Sequence, residues 1–258
     1  EKLTGFSSKR TLPQWKRKTF FNTHVQSATR EEVLAAAKPA VLFVDTFNGY
    51  FESDNATAAL KVLQAAGYTV HIAAKKKADG KALCCGRTYL SQGMVDAAKL
   101  EGRRVMAALA PALAAGTPIV GLEPSCLLAL RDEFYSLSLG PGVAQLGKQA
   151  FLFEEFLMRE GNKGLKLDLK PIPGGRAVVH GHCHQKAFGA MKSVKKVLGW
   201  IPEFEFDIVD ASCCGMSGSF GLEAEHYAAS VQMGELALLP AVRAAAPEAV
   251  IGADGFSC

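Results

Sequence analysis

The sequence has no apolar run long enough to cross a membrane. Its most apolar stretch, Val105 to Leu122, is broken by Pro111, Gly116, Thr117 and Pro118, whereas a spanning helix needs about 20 apolar residues in a row. A buried helix followed by a buried strand accounts for this stretch. A secretory leader is also missing. The chain opens at Glu1 and runs straight into a polar, basic segment, as expected of a piece of a longer or processed protein. Charge of one sign is scarce: 29 Lys and Arg face 25 Asp and Glu, a net +4, too little to argue for a nucleic-acid partner. Low net charge with 49% hydrophobic residues excludes intrinsic disorder. Neither a Gly-rich nucleotide loop nor a Cys-x-x-Cys pair of the kind that zinc sites favour is present. The length of 258 residues suits one large domain or two small ones.

What the chain does have is seven cysteines in an unusual arrangement. Two vicinal pairs each precede glycine, Cys84-Cys85-Gly86 and Cys213-Cys214-Gly215, and the others are Cys126, Cys183 and Cys258. An odd count without a leader argues against a disulfide framework. Buried packing thiols are the bland alternative, but they do not explain two Cys-Cys-Gly triplets.

The triplets sit inside an internal repeat. Val41–Val44 reads as a buried strand ending at Asp45-Thr46-Phe47, and Ala177–His180 as another ending at Gly181-His182-Cys183-His184. A helical pattern containing Lys-Val-Leu follows each, then a second strand (Tyr68–Ile72 and Phe204–Val209), then Cys-Cys-Gly, a second helical pattern, and a short strand ending in Ser-Cys at Cys126 and Cys258. Strands alternating with helices predict an α/β fold of two pseudo-repeated βαβαβ units with parallel sheets. The cysteines then gather at the carboxyl ends of the strands, where such sheets bind ligands. The expected organisation is a basic N-terminal arm (1–40), a first repeat (41–130), a connecting helix and linker (131–175) and a second repeat (176–258). Lys9, Arg10, Lys16, Arg17 and Lys18 around Leu12, Pro13 and Trp15 make the arm either a docking segment or a solvated tether.

Clustered thiolates in a reducing compartment favour zinc or iron–sulfur. The second repeat offers Cys183, Cys213, Cys214 and Cys258, a set that suits an iron–sulfur cluster, with a 4Fe-4S centre expected. The first repeat offers Cys84, Cys85 and Cys126, with Asp45 or Thr46 where the second has Cys183; zinc, a second cluster or no metal all remain open there. His182 and His184 flank Cys183 and could hydrogen-bond to cluster sulfurs. His180, within the strand, reads as a packing residue. Arg87 and Lys186 could balance charge, and Gly215, Gly218 and Gly221 could let the backbone approach a cluster.

These motifs resemble the cysteine-rich CCG domain family, found in tandem in the B subunit of heterodisulfide reductase, the C subunit of anaerobic glycerol-3-phosphate dehydrogenase and the iron–sulfur subunits of glycolate- and lactate-oxidising enzymes. The resemblance covers about Val41 to Cys258. Val44-Asp45-Thr46-Phe47-Asn48-Gly49-Tyr50-Phe51 looks closest to the C-terminal part of fused proteins that carry an FAD-linked oxidase domain and a ferredoxin-like domain. The resemblance implies electron transfer for the oxidation of a D-2-hydroxy acid (glycolate, D-lactate or D-2-hydroxyglutarate), with FAD on another domain and a quinone or similar acceptor. It also implies a cytoplasmic address, or one at the inner face of the membrane. Cys126 is followed by Leu127-Leu128-Ala129, so the further Cys-x-x-Cys ligand of some members is absent. The rival expectation is a zinc-binding structural or docking module without redox activity.

Overall fold

The computed structural model describes residues 1, 3–23, 27–73 and 82–258. The chain divides into two compact units, one of residues 15–167 and one of residues 1–14 together with 168–258.

The unit of residues 15–167 is built on a four-stranded parallel sheet of order β2-β1-β3-β4. Its strands are β1 (Pro39–Phe43), β2 (Thr69–Ala73), β3 (Ile119–Gly121) and β4 (Ala150–Leu152). β1 is apolar along its length and almost wholly buried, as expected of a central parallel strand covered on both faces. After β1 come helices α1 (Thr46–Tyr50) and α2 (Ser53–Ala65), and after β2 come α3 (Arg87–Ser91) and α4 (Val95–Ala114). After β3 comes α5 (Pro124–Ala129), and after β4 comes α6 (Phe153–Gly161). The amphipathic run beginning at Phe151 thus opens as a strand and turns helical only at Phe153. The core packs Leu42, Val44, Leu60, Leu63, Val120 and Phe156 together.

The other unit has a three-stranded parallel sheet of order β6-β5-β7. Its strands are β5 (Arg176–His180), β6 (Glu205–Ile208) and β7 (Val250–Ala253). Helices α7 (Cys183–Ala187) and α8 (Met191–Leu198) follow β5, and α9 (Tyr227–Glu235) and α10 (Leu238–Ala244) lie between β6 and β7. Residues near the N-terminus are tied into this unit. Phe6 bridges Glu223 in antiparallel fashion, and the Arg10 guanidinium donates to Ser230 Oγ at 2.8 Å while lying over the Tyr227 ring.

Both sheets place the first strand of their repeat between the second and the third, so β1, β2 and β3 correspond to β5, β6 and β7. Register makes the correspondence residue-specific. Phe43 pairs with Gly121 and His180 pairs with Ala253. Among the described residues no helix is long and apolar enough to cross a membrane.

Candidate metal centre

The turn after the second strand of each repeat is built the same way. Gly86 has φ +80° and Gly215 φ +87°, a left-handed conformation that side chains with a Cβ resist. The turn folds the glycine N–H back onto the first cysteine: Gly86 N donates to Cys84 Sγ at 3.4 Å and Gly215 N to Cys213 Sγ at 3.3 Å. It also brings the backbone hard against the following long helix, α4 at Ala98 and α9 at Ser230. The space beside Gly215 and Gly221 is filled by Ser230 and Met216, so these glycines serve close packing of the protein on itself. Ahead of the first turn, the Arg104 guanidinium pairs with buried Glu101 and donates to Ala82 O at 3.2 Å, fixing the chain as it enters Cys84.

The strand-end helices complete the frame. Asp45 is the N-cap of α1: its carboxylate accepts from Phe47 N, Asn48 N and Asn48 Nδ2 at 2.8, 3.0 and 2.8 Å. His182 is the N-cap of α7: its Nδ1 accepts from His184 N at 3.1 Å, and its own N–H donates to Gln185 Oε1 at 3.0 Å. Capping satisfies amide groups that a helix start leaves unpaired. The caps therefore correspond, Asp45 with His182, and one residue further on Thr46 corresponds to Cys183. Strand register gives the same alignment, because Phe43 and His180 precede these caps by equal steps. Of the two residues that pattern leaves open opposite Cys183, the structure selects Thr46, which hydrogen-bonds to Cys84 as Cys183 does to Cys213. Asp45 has its oxygens committed to the cap.

No disulfide joins any of the seven cysteines. In the second repeat Cys183 lies with Cys213 and Cys214, and Cys214 with Cys258, so the four come together at one place. Burial first, then the neighbouring Cys213, pushes the Cys183 thiol up, while Lys186 pulls it down. The Cys214 thiol is held down at about 3, by the hydrogen bond from Cys258 first and then, against the opposing effect of burial, by the neighbouring His180. In the first repeat, Cys85 Sγ and Cys126 Sγ are buried 3.1 Å apart, and Cys84 adjoins Cys85. The hydrogen bond from Cys85 pulls Cys126 down, but burial together with Asp45 and Glu123 outweighs it and leaves the thiol pushed up to about 12. The second repeat therefore favours a thiolate at Cys214 in its own electrostatics, and the first disfavours one at Cys126. His184 sits on α7 with its ring 5.8 Å from that of His182, and Arg87 pairs with Glu133 at 3.0 Å.

Pattern alone assigns His180 no role beyond packing. The residue is 2% exposed, and neither ring nitrogen makes a hydrogen bond to a nitrogen or oxygen acceptor or donor; its polar neighbours are the Cys214 thiol and the Asp254 carboxyl. A ligand nitrogen of His180 and the sulfurs of Cys214 and Cys258 lie within 4.8 Å of one another. Buried polar atoms are nearly always paired, so an imidazole that lacks a nitrogen or oxygen hydrogen-bond partner and has two thiols beside it fits a thiophilic metal group. Strand register against the first repeat is the signal that could flag it, since Phe43 holds the matching position.

Comparison with known proteins agrees with this architecture. Residues 46–131 match the family model "CCG: Cysteine-rich domain". The C subunit of the anaerobic glycerol-3-phosphate dehydrogenase of Escherichia coli (strain K12) is 29% identical over 231 residues, covering 88% of this chain and 55% of the relative. D-2-hydroxyglutarate dehydrogenase of Pseudomonas putida (strain KT2440) is 27% identical over 206 residues, covering 79% of this chain and 19% of the relative. The chain thus spans about half the length of the first relative and a smaller share of the second. No solved structure matches it.

Proposed function

We propose that this chain is an iron–sulfur-binding electron-transfer part of an FAD-linked oxidoreductase acting on a D-2-hydroxy acid. The observation that carries the reading is the convergence of Cys183, Cys213, Cys214 and Cys258 beside a buried imidazole. Soft donors in that number suit an iron–sulfur group. When bound, such a group supplies one-electron steps, passing on singly the electrons that a flavin takes in pairs. The protein's part is to hold the thiols and to set their charge through Lys186 and His180. Cys84, Cys85 and Cys126 form a poorer second site, for zinc or a second cluster, with the Thr46 hydroxyl where the fourth thiol would stand.

The name of one relative supports the D-2-hydroxy acid reading. That one is a dehydrogenase of D-2-hydroxyglutarate, the other belongs to a dehydrogenase of glycerol-3-phosphate; both substrates carry a secondary alcohol. An FAD-linked oxidase domain and a ferredoxin-like domain, in the same chain or a partner, are the expected electron donors. A quinone is the expected acceptor, and the place of action is the cytoplasm or the inner face of its membrane.

The test is iron, zinc and acid-labile sulfide per chain on protein made without oxygen, beside Cys213→Ser. About four irons and four sulfides per chain, lost on substitution, is the expected result for one 4Fe-4S centre. Zinc without sulfide would replace the reading with that of a structural metal module.

A further inference from the structure

We propose that His180 is a direct ligand of the metal centre in the second repeat, binding through one imidazole nitrogen beside Cys214 and Cys258. This rests on the metal-binding reading above and changes its donor set: a 4Fe-4S cluster takes four protein donors, so the imidazole stands in place of one of the four thiolates.

Three observations converge on it. The first is the packing. His180 ends β5 at 2% exposure, and neither ring nitrogen has a nitrogen or oxygen partner. A histidine serving only to fill space would bond at least one nitrogen to such a group.

The second is reach. The imidazole nitrogen and the two sulfurs are mutually within 4.8 Å. Donors this close can serve one metal centre, whether as neighbouring ligands of a cluster or as ligands of a single ion.

The third is the repeat itself. Phe43 takes the place of His180 in the first repeat, as Thr46 takes that of Cys183. The fold therefore accepts a plain hydrophobe at this position, and the repeat with the fuller thiol set is the one that carries the imidazole.

The surroundings suit a ligating histidine. Asp254, in the turn after β7, takes a hydrogen bond from Gln185 and is an electrostatic neighbour of His180, and its Oδ2 is buried without a hydrogen-bond partner. Metal-bound imidazoles commonly give their other N–H to a carboxylate, which fixes the ring and strengthens it as a donor. The Asp254 turn also leads to Cys258, so one segment supplies both a ligand and the group that would hold its neighbour. Replacing thiolate by imidazole on a cluster iron raises its reduction potential, so His180 would set this centre above an all-thiolate one.

The test uses the full chain, labelled with ¹⁵N-histidine and prepared without oxygen, as wild type, His180→Cys and His180→Phe. Iron and sulfide per chain report on the cluster itself. Pulsed EPR of the reduced protein reports on nitrogen bound to it. In parallel, protein stripped of metal is titrated with Co²⁺, whose visible spectrum distinguishes thiolate from mixed ligation, and circular dichroism checks the fold. Wild type should show a directly bound ¹⁵N coupling. His180→Cys should keep its iron, lose the coupling and have a lower potential. His180→Phe should bind Co²⁺ at least about tenfold more weakly, given that even outer hydrogen-bond partners are worth 10–100-fold in metal affinity. An iron-loaded wild type without the coupling, or a His180→Phe protein with unchanged Co²⁺ affinity and spectrum, would overturn the assignment. A wild type without iron or sulfide would remove the iron–sulfur reading, and the Co²⁺ titration would still decide the role of His180.

Discussion

The third residue of each Cys-Cys-Gly triplet can be tested by adding a single methyl group. Gly86→Ala and Gly215→Ala both force a Cβ into a left-handed backbone, at φ +80° and +87°, which costs about 1–2 kcal/mol. Their surroundings differ. At Gly86 the new carbon would stand 3.0 Å from Ala98 O, a contact that a shift of a few tenths of an ångström relieves. At Gly215 it would stand 2.1 Å from Ser230 O, inside the core of a backbone oxygen on α9. Relief there requires moving the helix, and overpacking of this kind adds about 1–3 kcal/mol. The expected costs are therefore about 1–2 kcal/mol for Gly86→Ala and about 2–5 kcal/mol for Gly215→Ala. The two tryptophans, Trp15 and Trp200, fall in different units. Urea unfolding followed by fluorescence can thus read each unit alone, in Trp15→Phe and Trp200→Phe backgrounds. With slopes of about 1–3 kcal/mol per molar urea, a loss of about 3 kcal/mol moves a midpoint by about 1 M or more. Gly215→Ala should also lose metal, because displacing the turn withdraws the amide that supports Cys213. Equal midpoint shifts for the two substitutions would refute the argument from close approach.

Two further outcomes follow from the geometry. In a Cys213→Ser background, Thr46→Cys should tighten Co²⁺ binding at the first site at least about tenfold by completing a fourth thiol; an unchanged optical titration would deny that Thr46 and Cys183 correspond. In the unit of residues 15–167, burial pushes the Glu160 carboxyl up, but hydrogen bonds from Tyr68 (2.7 Å), Lys163 and Arg159 outweigh burial and hold it below the usual 4.5. The stability this contributes is present above pH 4.5 and is lost as pH falls through the lowered value. Tyr68→Phe should cost about 1 kcal/mol at neutral pH and flatten the acid limb of a denaturation series, and an unchanged limb would count against the pairing.

Much of the architecture is legible in the residues. Val41 to Val44 and Ala177 to His180 declare buried strands because parallel strands covered on both faces are apolar throughout. The helix–strand reading of Val105 to Leu122 holds, since Pro118 and Gly116 mark the break. β4 is not legible: three residues at the head of an amphipathic run carry no period of their own. The choice between Asp45 and Thr46 opposite Cys183 also eludes pattern, because either residue can cap a helix, and only the hydrogen bonds from Phe47 and Asn48 show which does. His180 reads as packing for a sound reason, its apolar neighbours in the strand. What sequence cannot show is that both of its nitrogens are buried without a nitrogen or oxygen hydrogen-bond partner.

The unit that holds Cys183, Cys213, Cys214 and Cys258 is discontinuous, with residues 1–14 joined to residues 168–258. During synthesis the first segment must wait while residues 15–167 emerge, and those have a complete parallel sheet of their own to fold around. The pairing of Phe6 with Glu223 and the hold of Arg10 on Ser230 come late, after a loop closure that local structure does not assist. The same threading gives protection afterwards. The chain passes between the units twice, so a protease that cuts only near residue 167 leaves residues 168–258 still gripped by the segment of residues 1–14. Release of the cysteine-bearing piece would need that grip to open as well.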